Sequence, residues 1–333
     1  MTAGREIGIY LNGVGGDYPL MRESWQLAES LGFTHVWTMD NVVGPVPYRA
    51  EKPVLDAWTV MPALAEATST IRFGPLVSPF ARRHPAVLAK SSTILDLLSG
   101  GRLELGLGPG DEPRQHLPWG QPYPRPGERI AILREEIEII RSMWTQPATT
   151  YWGEHYTLIE AVNEPKPVQQ PHPPIWVGLT VHGKVVMPKV AAELADGVNL
   201  YVGSDDLALS QMQRVRDHGH RIGRDPDRLR WSRMVNVVLT DDELDRETFL
   251  RIRAEQTDQS VEYLRDYYET YECLVAGTPE QVAAGITEHV YELGIHQPIV
   301  MVGSLHTPAF GTDLDALASF GQHVLPLLGL GPT

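Results

Sequence analysis

The sequence predicts an α/β fold, a closed (β/α)8 TIM barrel with inserted loops after its second, fourth and seventh strands. Three observations predict it. Short apolar runs alternate with helical patterns eight times along the chain. Those runs are continuous rather than alternating, as in parallel strands covered on both faces. The 333 residues are too many for most single domains and ordinary for one barrel, so 1–333 reads as a single domain.

The elements follow in order. A first strand is expected at 6–12 and a helix at 20–31, stopped by Gly32. A second strand is expected at 35–39, a helix at 55–68 and a third strand at 71–78. The helix at 84–98 opens on a His-Pro pair, where the proline's missing N–H costs nothing. The fourth strand, 103–108, ends in Gly106, Gly108, Pro109 and Gly110, which let a ligand approach the backbone closely. The helix at 129–144 repeats Ile130, Leu133, Ile137, Ile140 and Trp144 at steps of three and four, one apolar stripe. Its carboxylates Glu135, Glu136 and Glu138 read as a solvated face. A fifth strand (174–179), a helix (184–194), a sixth strand (197–202) and a helix (207–222) come next. Then follow a seventh strand (229–239), helical pieces at 242–253 and 259–271, a helix at 279–293, an eighth strand (297–303) and a last helix at 313–327. The extra residues at 41–53, 111–127 and 241–277 all follow a strand's C-terminal end, where such barrels build their sites.

Composition narrows the function. A formal charge of −14 opposes binding to a phosphate backbone, so no nucleic-acid partner is expected. No run of about 18 apolar residues is present, so no membrane span is expected. The single cysteine, Cys273, excludes an internal disulfide. With no leader pattern at the start, a cytoplasmic location is expected. No His/Cys/Asp spacing suggests a metal site, and neither a Gly-x-Ser-x-Gly elbow nor a phosphate-binding P-loop occurs.

A set of motifs then carries a resemblance. Leu98-Ser99-Gly100-Gly101-Arg102-Leu103 is followed by Gly106-Leu107-Gly108 and Pro126-Gly127-Glu128-Arg129. Met143-Trp144-Thr145, Gly153-Glu154-His155-Tyr156, Pro173-Pro174-Ile175-Trp176-Val177-Gly178 and Ala195-Asp196-Gly197-Val198-Asn199 complete the series. In order and spacing the chain resembles the bacterial luciferase-like flavin- and deazaflavin-dependent oxidoreductases. The resemblance implies coenzyme F420 or FMN in the barrel mouth, a small organic substrate and a homodimer. It implies a bulge, often a non-proline cis bond, beneath the cofactor at Leu76-Val77-Ser78.

Other site residues follow from it. Asp40, at the end of the second strand, lines the cofactor in deazaflavin members, where a histidine often comes next; here Asn41 stands instead. Gly108, Pro109 and Gly110 border the same place. Luciferase keeps a phosphate-clamping arginine near the position of Pro109. Glu112 and Asp111 are general-acid candidates, and His116 with Trp119 is expected in the substrate pocket. Gly178, Leu179, Thr180 and Lys184 would hold the cofactor phosphate, although Leu179 replaces a usual glycine. Tyr48, Trp58 and Tyr123 suggest an aromatic-rich pocket, whereas His84 and His155 read as structural. Asp40 and the absent arginine at 109 favour F420 and hydride transfer; an FMN monooxygenase is the alternative. The departures at Asn41 and Leu179 also fit a barrel that binds a ligand without turnover.

Overall fold

The computed structural model describes residues 5–44, 53–110, 112–183, 185–257, 259–305 and 312–332. The chain runs β1 (Gly8–Tyr10), α1 (Tyr18–Leu31), β2 (His35–Thr38), α2 (Ala57–Glu66), β3 (Arg72–Pro75), β4 (Ser78–Pro79), α3 (Pro85–Leu98) and β5 (Leu105–Gly108). It continues with α4 (Pro126–Thr145), β6 (Thr149–Trp152), β7 (Thr157–Ala161), β8 (Ile175–Thr180), α5 (Met187–Leu194), β9 (Gly197–Tyr201), α6 (Asp205–Arg221) and β10 (Arg230–Leu239). Then come α7 (Arg246–Thr257), α8 (Val261–Thr270), β11 (Cys273–Gly277), α9 (Pro279–Ile286), β12 (Gln297–Ser304) and α10 (Leu314–Ser319).

The parallel strands hydrogen-bond in the order β3-β2-β1-β12-β10-β9-β8-β5-β4. The two ends of that order, β3 and β4, are consecutive in the chain, and a Phe73–Leu103 bridge adds to the pairing of β4 with β5. The sheet therefore closes on itself. Asp17 and Asp56 start their helices by accepting from Leu20 N–H and Thr59 N–H, each at 2.9 Å. Thr278 and Gln281 form a capping box that starts α9. Between helices and strands lies the main core, where Trp25, Phe73, Trp144 and Phe320 are almost fully buried. A second cluster inside the barrel stacks Trp37, Trp176, Met234 and Ile299 beneath Leu76.

The N-terminal end of the barrel is closed by a polar network. Glu104, fully buried, accepts from Arg72 Nε at 2.6 Å and Arg230 Nη1 at 3.0 Å, meets His35 Nε2 at 3.2 Å, and also accepts from Trp176. Burial works against the Glu104 charge, but His35 and the two guanidiniums outweigh it and hold the carboxyl well below its usual range.

Four sequence expectations need correction. The third strand is two segments, β3 and β4, on either side of a cis Leu76–Val77 peptide. The 241–277 region carries, besides its two helices, a further parallel strand, β11, which pairs with β10. Between α4 and β8 lies an antiparallel hairpin, β6–β7, that the sequence reading did not contain. That hairpin explains the fourth correction, at Glu135 and Glu136, which are not a solvated face, whereas Glu138 is exposed as expected. Glu135 accepts from the Glu154, His155 and Tyr156 N–H groups of the turn, and Glu138 from the Tyr151 hydroxyl at 2.7 Å. Glu136 is buried beneath them, at 2% exposure. Among the described residues no helix is long and apolar enough to cross a membrane.

Candidate active site

A cavity of about 580 Å³ opens among the C-terminal ends of the strands. Its size lies within the roughly 300–1,000 Å³ of small-molecule and cofactor sites. The Leu76–Val77 bulge forms part of its wall, between β3 and β4. Gly108 faces the bulge because nothing larger fits: a Cβ there would stand 2.5 Å from Val77 Cγ2. Gly178 and Thr180 alternate into the cavity from β8, while Leu179 between them turns to the outer core. Leu76, Ile130, Met187 and Met234 add apolar surface.

The polar side of the cavity is basic, in contrast to the acidic chain. Arg82 donates to the carbonyls of Asp40 (3.3 Å) and Gln115 (3.2 Å). Arg129 donates to Pro109 O (3.0 Å) and Pro124 O (2.9 Å) and lies 4.2 Å over the Tyr123 ring. A guanidinium thus reaches Pro109 through space, although position 109 itself carries no cation. The absent arginine there does not separate the two cofactors. His116 stacks on Phe80 at 5.0 Å, and its buried Nδ1 has no hydrogen-bond partner. Burial, then the charges of Arg82 and Arg129, pushes its titration down to about 4, so the imidazole is neutral at ordinary pH. Gly110 holds a left-handed φ of +63° against this ring, and a Cβ there would stand 2.9 Å from His116 Nε2.

Of the residues expected at the site, Asn41, Leu76, Val77, Gly108, Pro109, Gly110, Glu112, His116, Gly178 and Thr180 line this one cavity. Glu112 is paired there with Arg114 and accepts from Gln115 Nε2 at 3.3 Å. Asp40 and Ser78 stand behind the wall, fully buried. Asp40 Oδ2 accepts from Ser78 Oγ and Arg83 Nη1, both at 2.7 Å, while Oδ1 has no partner. Burial raises the Asp40 carboxyl above its usual range, against the pull of Arg83 and Ser78. Trp58 donates to Ser78 Oγ at 2.8 Å, and Trp119 is exposed. Asp111, Lys184 and Tyr48 lie outside the described residues. No group of three metal-ligating side chains occurs among the described residues.

Sequence reasoning missed Arg82, Arg129, His182, Asn199, Tyr201, Met234 and Tyr267 in the lining. Asn199 and Tyr201 close a barrel strand, a position rule that would have found them. Tyr267 comes from α8 in the last insertion, where no motif marks it.

Residues 8–297 match the luciferase-like monooxygenase family. The chain belongs to this family. An F420-dependent glucose-6-phosphate dehydrogenase of Amycolatopsis mediterranei is 36% identical over 174 residues, 51% of this chain and 49% of that protein. The chain spans about half the length of the curated relatives it matches. Two solved structures share the fold. The coenzyme F420 dependent tetrahydromethanopterin reductase from Methanopyrus kandleri has a TM-score of 0.77 at 21% identity, covering 97% of this chain and 99% of that one. A long-chain alkane monooxygenase has a TM-score of 0.77 at 18% identity, covering 99% of this chain and 92% of that one. The barrel fold, predicted above from the alternation of strands and helices, is what these neighbours share.

Proposed function

We propose that this luciferase-like protein is an oxidoreductase that uses coenzyme F420 to exchange a hydride with a small organic substrate. The observation that carries the reading is the cavity: a Val77 bulge faced by Gly108 and Gly178, with arginines at one side. That shape suits a flat, anionic cofactor, because the cavity meets bare backbone at Gly108 and Gly178 on either side of Val77. Curated relatives named for F420 dependence support F420 over FMN.

Val77, Gly108 and Gly178 would bear the flat part of the cofactor, and Thr180 and Arg129 its anionic part. When bound, the deazaflavin supplies hydride transfer and leaves oxygen unactivated. The apolar side chains Leu76, Met187 and Met234 exclude water. His116, neutral and with a free Nδ1, is the group placed to hold or release a proton. Asp40 acts from behind, fixing Ser78 and Arg83.

The second reading is an FMN monooxygenase, favoured by the equal likeness to the alkane monooxygenase structure. Fluorescence titration of the purified protein with each cofactor separates them. Quenching of F420 at micromolar protein with weaker FMN binding supports the first reading, and tight FMN binding without an F420 response overturns it.

A further inference from the structure

β10 changes neighbours partway along its length. Its first half pairs with β9 as far as Arg233, and its second half pairs with β11 from Val235 onward. Glu272 stands at this fork, one residue ahead of β11, and is buried at 4% exposure. Three neutral donors hold its carboxylate. The hydroxyls of Tyr201 and Tyr267 reach Oε1 at 2.6 and 2.9 Å, and Asn236 Nδ2 reaches Oε2 at 3.0 Å.

Both tyrosines line the cavity, and Tyr201 packs in the cluster that holds Leu76, Val77 and Met234. Burial first, and the Glu272 charge second, push both phenols above their usual range, so neither ionises. Each phenol points its only donor at Glu272 Oε1, and the two hydroxyls also lie against each other. What it can offer a ligand is oxygen lone pairs. A molecule that meets this wall satisfies it only by bringing hydrogen-bond donors. An anionic group would face a buried carboxylate in a medium that screens charge poorly. The arginines of the cavity come from other elements, Arg82 after β4 and Arg129 in α4.

We propose that Tyr201 and Tyr267, fixed by Glu272, recognise the substrate through a hydrogen-bond donor that it carries, such as a hydroxyl group, and exclude anionic molecules. The proposal rests on the reading of this cavity as a cofactor and substrate site. It assigns a specificity role to three residues that carry no family motif.

The test uses two probes of one shape, cyclohexanol and cyclohexanecarboxylate, with binding followed by ligand-observed NMR on the cofactor-loaded protein. Cyclohexanol is expected to bind at least tenfold more tightly than the carboxylate. Tyr201→Phe and Tyr267→Phe should each weaken cyclohexanol about tenfold, and Glu272→Gln should narrow the discrimination at least fivefold. Cofactor affinity, read by fluorescence, should stay within twofold in all three, which a merely structural role would not predict. Equal or tighter binding of the carboxylate, no binding of cyclohexanol, or unchanged discrimination in the tyrosine variants overturns the proposal. Should Glu272→Gln fail to fold, the tyrosine variants decide. Failure of the wild type to bind either cofactor overturns the cofactor reading instead, and the two probes are then compared on the protein alone.

Discussion

Glu136→Gln should make this protein more stable at neutral pH. Glu136 sits on α4 and accepts on one oxygen, Oε1, from Ala81 N–H at 2.8 Å and from the Tyr156 hydroxyl at 2.7 Å. Burial pushes its carboxyl from the ordinary 4.5 up to about 7, with both hydrogen bonds pulling the other way. Titrating near 7 instead of 4.5 makes the ionised form cost the native state about 3 kcal/mol. Between pH 4.5 and 7 the native protein keeps a proton that the unfolded chain has released. The favourable contribution is therefore whole below 4.5 and lost as pH rises through about 7. Glutamine keeps the accepting oxygen and cannot ionise. Urea unfolding followed by tryptophan fluorescence should find the variant and wild type alike near pH 5. At pH 8 the variant should be ahead by up to about 3 kcal/mol. The difference between the two proteins is the quantity to measure, because His116, with its titration pushed down to about 4, works with the opposite sign over a similar window. A variant less stable than wild type at pH 8, or a difference that does not change between pH 5 and 8, would refute the reasoning.

Other outcomes follow from the same geometry. Glu104→Gln removes the buried carboxylate that Arg72 and Arg230 share at the closed end of the barrel, leaving Arg230 its pair with Glu6. It should cost about 3–5 kcal/mol in urea unfolding and leave cofactor affinity alone; a loss under about 1 kcal/mol would contradict it. Gly108→Ala drives a Cβ into Val77 and should raise the cofactor dissociation constant at least tenfold for a stability cost of about 1–3 kcal/mol; unchanged affinity would remove the bulge from the cofactor site. His116→Asn should lower kcat/KM by about 10²-fold or more, and the acid limb it abolishes should lie below pH 5. A limb near 6.5 that vanished with His116 would show its imidazole to be far better solvated than the structure has it.

The barrel was legible because its signals are local. Runs such as 103–108 and 197–202, each followed by helical periodicity, need no knowledge of the rest of the chain. The bulge position was legible through the resemblance, and the cis peptide falls at Leu76–Val77. What escaped depends on contacts distant in sequence. Glu136 looks solvated on a helical wheel, and contacts distant in sequence bury it, with Ala81 N–H and with Tyr156 from the hairpin. Arg129 was read as part of a motif, yet its guanidinium travels to Pro109, a pairing that no spacing rule encodes. Cys273–Gly277 lay inside what read as an insertion, because a strand of five residues beside two helices gives too little periodicity to stand out.

The change of neighbour along β10 bears on how such a protein diversifies. The last insertion is not a loose appendage: β11 carries five residues in register with β10, Cys273 to Gly277 against Val235 to Leu239. It works as an exchangeable part on a fixed mount. A descendant could replace α7 and α8 freely, provided that it keeps a strand to satisfy the second half of β10. The cradle around Val77 and the plug around Glu104 would not register the exchange. Selection for a new substrate and selection for an intact barrel then act on separate stretches of one chain.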